Sequence, residues 1–348
     1  MRNIKVSLSL VAVTLALLGS VAAYAKSGDG PPVKQPAPPA GVAAVQETAA
    51  QRGRPKLALS LGGGGGRGGA HIGVLKVLEA NGIKPDFVSG SSIGAVIGGL
   101  YCAGVPVSRI EQMALDGELR KGMMPGGLKL QVFKSVPRYA LLRLIGMHPK
   151  IGLYSGKSVT KFIERNLPPG QEKIENLQIP FAAIATNLLD TRPVWISKGS
   201  VAEAVRASTS VPFVYQSATT PDGKVLIDGG VRENLPTEAA QATGAPMIIA
   251  VKLNASLDRQ PPERFRTFLD YSDRILSILM SEIESKTNAA PDVVIEPNIT
   301  DTVTYTFSGK DMAKAIKAGE EAATKMLPEI REKLMRQQGT ASTGSGPQ

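Results

Sequence analysis

Along the chain of 348 residues, short unbroken apolar runs alternate with stretches whose apolar positions recur every three to four residues. The runs at 57–61, 87–88, 181–185, 247–253 and 293–295 predict strands buried on both faces. The stretch at 69–80 gathers Ile72, Leu75 and Leu78 on one side and stops at Asn81-Gly82, which predicts a helix. Alternation of the two patterns predicts an α/β fold with a mostly parallel central sheet covered by helices. No internal repeat is present.

The two ends break this pattern. Residues 1–25 open with Arg2 and Lys5, continue as an uncharged apolar run and reach Ala23-Tyr24-Ala25. That order predicts a cleaved secretory signal peptide and an exported protein, periplasmic or secreted. The strongest apolar part, 6–18, is short for a span needing about 20 residues, which leaves an uncleaved anchor as the lesser reading. Residues 26–54, rich in Pro, Gly, Ala and Gln, predict a flexible linker, and 339–348 a disordered tail. Between them, 55–338 is long enough for one domain with a large apolar core.

Composition narrows the function classes. Without residues 1–25, 38 basic residues face 30 acidic ones, a net charge of +8. That balance favours anionic partners, among them an anionic membrane surface contacted peripherally. No nucleic-acid-binding signature accompanies it, so nucleic acid is not an expected partner. The single cysteine, Cys102, lies in a small apolar helical pattern and reads as core. His, Cys and acidic residues show no ligand spacing, so no metal or cofactor is implied. Oligomeric state is not encoded in any feature found.

The first candidate chemistry lies between the first strand and the first helix. Gly63, Gly64, Gly65, Gly66, Arg67 and Gly68 form a glycine-rich loop in which Gly63, Gly65 and Gly68 satisfy G-x-G-x-x-G. Such a loop brings bare backbone N–H groups and a helix amino terminus up to negative charge. A nucleotide phosphate and a developing oxyanion both qualify. Asp86 lies where a ribose-binding acid would be sought, but it precedes a strand instead of ending one. Arg67 either shapes the loop or meets a phosphate headgroup.

The second strand leads into Gly90-Ser91-Ser92-Ile93-Gly94, a G-x-S-x-G pattern followed by a small-residue helix. This is the order of a nucleophile elbow, with Ser92 on the turn and Gly90 and Gly94 relieving its crowding. Only His71 and His148 exist as imidazole bases. His71 falls in the first turn of the glycine-led helix, and His148 in a basic, Gly/Pro-punctuated segment. Ser92, Asp116 and His148 formally fill a triad order but crowd it into 57 residues. An acid is the better partner: Pro221-Asp222-Gly223 makes a turn, a short apolar strand follows, and Asp228-Gly229-Gly230 ends it. Asp228 must then lie within hydrogen-bond reach of Ser92 and bind protons more tightly than a free aspartate.

These three motifs together resemble the patatin-like phospholipases and acyl hydrolases. The resemblance covers about 56–254 and includes the stretch VRASTSVPFVYQSATTPDGKVLIDGGVRENLP. It implies a three-layer α/β/α patatin-like fold, Ser92 as nucleophile, Asp228 as base, Gly63 to Gly68 as the oxyanion loop, and Gly229 and Gly230 as the D-G-G motif. The implied activity is serine acyl hydrolysis of phospholipid or another lipid ester through an acyl-enzyme. Two other classes stay open: a non-catalytic lipid-binding protein on this scaffold, and a nucleotide-binding oxidoreductase. From 119 to 163, nine basic residues and no acidic one interleave with large apolar residues, which suits either a membrane-touching cap or an ordinary basic helix face.

Overall fold

The computed structural model describes residues 38–127, 131, 152–253, 259–265, 268–285, 289–299 and 307–343. The expected export signal, His148 and most of the basic 119–163 segment lie outside the described residues.

In chain order the elements begin with α1 (Val42–Gln51), β1 (Leu57–Leu61), α2 (Gly69–Ala80), β2 (Phe87–Ser91) and α3 (Ile93–Cys102). Next come α4 (Val107–Leu115), α5 (Glu118–Met123), α6 (Lys157–Asn166), β3 (Phe181–Asn187), β4 (Pro193–Ile196) and α7 (Val201–Ser208). The remainder is β5 (Ala218–Thr219), β6 (Val225–Asp228), α8 (Thr237–Ala242), β7 (Met247–Val251), α9 (Phe268–Ser285), β8 (Val293–Ile295) and α10 (Gly309–Thr343).

All eight strands join one sheet in the order β5-β6-β3-β2-β1-β7-β8, with β4 also on β3. The block from β3 to β8 is parallel, whereas β4, β5 and β6 are antiparallel additions. β1, β2, β3 and β7 are buried along their whole length, as unbroken apolar runs demand when helices cover both faces. The main core lies under α2, α3, α4, α7 and α10, and a smaller one under α1 and α8 on the opposite face. This is the three-layer arrangement expected from the sequence.

The central strand β3 explains where the site forms. Its residues 181–184 pair with β2, 183–186 with β4 and 185–187 with β6. A strand has only two edges, and β4 overlaps both other partners, so β2 and β6 share the remaining edge in succession. They meet head-on: Ser91 pairs with Ile184 and Asp228 with Ala185, the very next position.

Two boundaries depart from the sequence reading. The expected linker is ordered from Pro38: Ala40 bridges Val194 of β4, and α1 buries Ala49 and packs Val45 into the smaller core. With only two buried positions, α1 is too short and too weakly patterned to stand out from a Pro/Ala-rich tract. At the other end α10 continues past Gly339 to Thr343, so the expected tail is helical for its first half. One glycine costs a helix only about 1 kcal/mol, which propagation from a long packed helix can carry.

Candidate active site

Ser92 sits between β2 and α3 with φ 53° and ψ −119°, a left-handed conformation that disfavours any residue with a Cβ. Its surroundings hold it there. The Ser92 N–H donates to Ser208 Oγ at 2.9 Å, and the Ser208 hydroxyl donates in turn to the Ile184 carbonyl. Its carbonyl accepts from Ala95 and Val96 N–H, the opening bonds of α3. Gly94 permits the sharp turn, because a Cβ there would lie 2.1 Å from the Leu61 carbonyl oxygen. Gly90 stays within β2, opposite Leu61 and Ala183.

Asp228 arrives from the other direction. Its N–H donates to the Ser210 carbonyl at 3.0 Å, and its Oδ1 accepts from the Gly230 N–H at 2.8 Å. Oδ2 accepts from the Ser92 hydroxyl at 2.7 Å. The side chain is buried, and desolvation pushes its carboxyl up to about 6, against the two hydrogen bonds that favour the anion. A carboxylate that is both hydrogen-bonded to a hydroxyl and raised in proton affinity is equipped to take that hydroxyl's proton. Gly229 packs over the Ile184 carbonyl, where a Cβ would lie 2.3 Å away.

The glycine-rich loop closes over this pair. A Cβ on Gly63 would sit 3.4 Å from the Ser92 Cβ and 2.4 Å from Asn234 Oδ1. The Gly63 N–H is committed to the Asn234 carbonyl at 3.0 Å, which removes it from the possible oxyanion donors. Gly65 to Gly68 form one 3-10 turn, closed by Arg67 N–H on the Gly64 carbonyl. The first N–H groups of such a turn have no partner within it and face outward along its axis. Arg67 is buried, as a shaping role requires, instead of reaching toward solvent.

His71 is not a base for Ser92. Its Nε2–H donates to the Gly62 carbonyl at 2.7 Å, and burial pushes the ring down to about 4, so it stays neutral and steadies the loop's first residue. Asp86 does not stand beside the glycines either. Its Oδ2 accepts from Lys56 and Leu57 N–H, which fixes it at the entry of β1, the opposite end of the sheet. That position withdraws the ribose contact a dinucleotide site would need. Cys102 is fully buried and its thiol is pushed up by desolvation, as a core residue's is.

A family description, patatin-like phospholipase, matches residues 59–241, from β1 into α8. The chain belongs to this family. Among the chain's relatives is an uncharacterised NTE family protein of Mycobacterium bovis, 35% identical over 204 residues, covering 58% of this chain and 50% of that one. The neuropathy target esterase of Drosophila melanogaster is 32% identical over 203 residues, covering 58% of this chain and 13% of its own length. The chain thus spans half or less of these relatives. Legionella pneumophila VipD aligns in structure over 80% of this chain and 67% of its own, with a TM-score of 0.47 and 15% identity.

Three residues of this site, Ser208, Ser210 and Asn234, escape the sequence reading, as does the neighbouring Glu233. All lie inside the stretch whose resemblance was noted, but nothing in one sequence tells which hydroxyl or amide folds inward. Asn234 donates from Nδ2 to Glu284 of α9 at 2.6 Å while its carbonyl holds Gly63. Glu233 is buried, accepts from Trp195 Nε1 of β4 at 2.6 Å, and is pushed by burial up to about 8.

Proposed function

We propose that the chain is a serine acyl hydrolase that cleaves fatty-acyl esters of phospholipid or a related lipid through Ser92 and Asp228. The observation that carries this reading is the 2.7 Å bond from Ser92 Oγ to the buried Asp228 carboxylate. Ser92 Oγ attacks the ester carbonyl carbon as Asp228 Oδ2 takes its proton. The carbonyl oxygen becomes an anion and is met by N–H groups of Gly64, Gly65 or Gly66 and of the first turn of α3. Collapse breaks the bond to the alcohol oxygen, which leaves with the proton from Asp228, and the acyl group stays on Ser92. Asp228 then deprotonates a water that attacks the acyl-enzyme, releasing fatty acid and restoring the Ser92 hydroxyl.

Family membership supports a lipid substrate, and the neighbouring relatives' names include an esterase. The testing experiment is fatty-acid release from mixed anionic phospholipid vesicles by the wild type, Ser92→Ala and Asp228→Asn proteins. Release that disappears in both variants is the expected result. Vesicle binding without any release by the wild type would favour a binding protein on the same scaffold.

A further inference from the structure

Four large apolar side chains turned to solvent lie on the segments that build the Ser92–Asp228 pair. Phe213 is 71% exposed, Leu189 68%, Leu188 55% and Val231 38%. Their segments connect to the pair through the chain or a backbone bond, with Leu189 following Leu188. Phe213 lies three residues beyond Ser210, whose carbonyl holds the Asp228 N–H. Val231 lies three residues beyond Asp228. The Leu188 N–H donates to the Val225 carbonyl, three residues before Asp228.

Phe213 carries a second, independent mark. Its φ is 67°, in the left-handed region that glycine favours and a bulky aromatic residue avoids. Turn bonds from Val214 and Tyr215 N–H to the Val211 carbonyl keep it in place. Backbone strain that displays a phenyl ring to water stabilises nothing in the folded chain, and such strain concentrates where a surface is used.

Charge selects the occupant. Asp190 and Asp222, the exposed acids nearest these residues in sequence, are each matched by an adjacent base, Arg192 and Lys224. Arg232, next to Val231, is exposed and has no ion pair among the described residues. Exposed apolar residues on these segments, with one unmatched guanidinium next to Val231, suit a surface with a hydrocarbon interior and anionic headgroups.

We infer that Phe213, Leu188, Leu189 and Val231, with Arg232, form a docking rim that seats the site on an anionic phospholipid bilayer. The inference rests on the lipid-hydrolase reading for its purpose but is tested by binding alone. Full-length protein carrying Ser92→Ala, which leaves the lipid intact, is partitioned onto phosphatidylglycerol–phosphatidylcholine vesicles. Adding Phe213→Gly is expected to lower partition about tenfold, from the lost apolar burial. Leu188→Ser with Leu189→Ser is expected to lower it at least as much. Arg232→Gln is expected to lower it about fivefold at low salt and little at high salt.

Folding is controlled by the melting temperature, which Phe213→Gly should leave unchanged or raise, because glycine relieves the left-handed strain. The converse variant, Phe213→Trp, supplies a reporter, since the native chain has one tryptophan, the buried Trp195. Its emission should shift to the blue when vesicles are added. Partition indifferent to both apolar variants, or an emission that ignores vesicles, overturns the rim. Cleavage of a soluble short-chain ester by the wild type, measured in parallel, separates the two ideas. Cleavage with indifferent partition sinks the rim alone, and rim-dependent partition without cleavage sinks the hydrolase reading alone.

Discussion

The Ser92 hydroxyl and the Asp228 carboxylate, 136 positions apart in the chain, are hydrogen-bonded at 2.7 Å with no imidazole between them. In the proposed mechanism the base is the acid itself, and its proton affinity sets the working range. With the carboxyl near 6, kcat/KM for a soluble ester should be level above neutrality and fall about tenfold per pH unit below about 6. A profile that stays flat through the acid range would remove Asp228 from the role of base.

The same burial opposes stability. Asp228 rises from 3.8 to about 6 on folding, so its favourable contribution is complete below 3.8 and is lost as pH rises through 6. At pH 8 the ionised, desolvated carboxylate costs the fold about 3 kcal/mol relative to its protonated form. Asp228→Asn should abolish ester cleavage yet melt at or above the wild-type temperature at pH 8. Calorimetry that finds the variant clearly less stable there would contradict this account of the site.

Ser208 acts through Ser92. Ser208→Ala leaves the Ser92 N–H and the Ile184 carbonyl without the hydroxyl that joins them, a cost of about 1–3 kcal/mol. The elbow then loses the bond that fixes its left-handed residue. Steady-state kinetics should show kcat reduced ten- to a hundredfold, roughly the penalty for a small displacement of a reacting group, with KM little changed. A rise in KM alone would place Ser208 in substrate binding instead.

Glu233 offers a separate pH signature away from the chemistry. Its carboxyl rises from 4.5 to about 8, mainly by burial, so stability falls as pH climbs from 4.5 through 8. Glu233→Gln keeps an oxygen to accept the Trp195 N–H but cannot ionise. Urea midpoints should therefore nearly coincide for the two proteins in mild acid, and the variant should be the more stable at about pH 9. Equal midpoints at both pH values would mean that Glu233 is solvated when ionised.

How much of this was legible in the chain follows from where each constraint acts. β1, β2 and the elbow are written locally, as an apolar run, a G-x-S-x-G turn and a small-residue helix, and they appear where the pattern predicts. Asp228 was visible because a turn and a strand end in D-G-G. β4, with Pro193 and Trp195 amid polar neighbours, was not, since its strand character comes from pairing with β3. The Asn234 carbonyl, the Ser208 hydroxyl and the Glu233 carboxyl are equally silent, because each is defined by a partner that only the folded sheet brings within reach.

The head-on meeting of β2 and β6 along one edge of β3 makes the spacing of the reactive pair discrete. Ser91, the residue before the nucleophile, and Asp228 are indexed to consecutive positions of the same strand, Ile184 and Ala185, so the separation of the pair changes only in whole-residue steps of about 3.3 Å. A slip of either strand would carry the hydroxyl or the carboxylate out of reach altogether, with no intermediate setting. The loops and helices linking the two strands can lengthen or shorten freely, since none of them acts as the ruler.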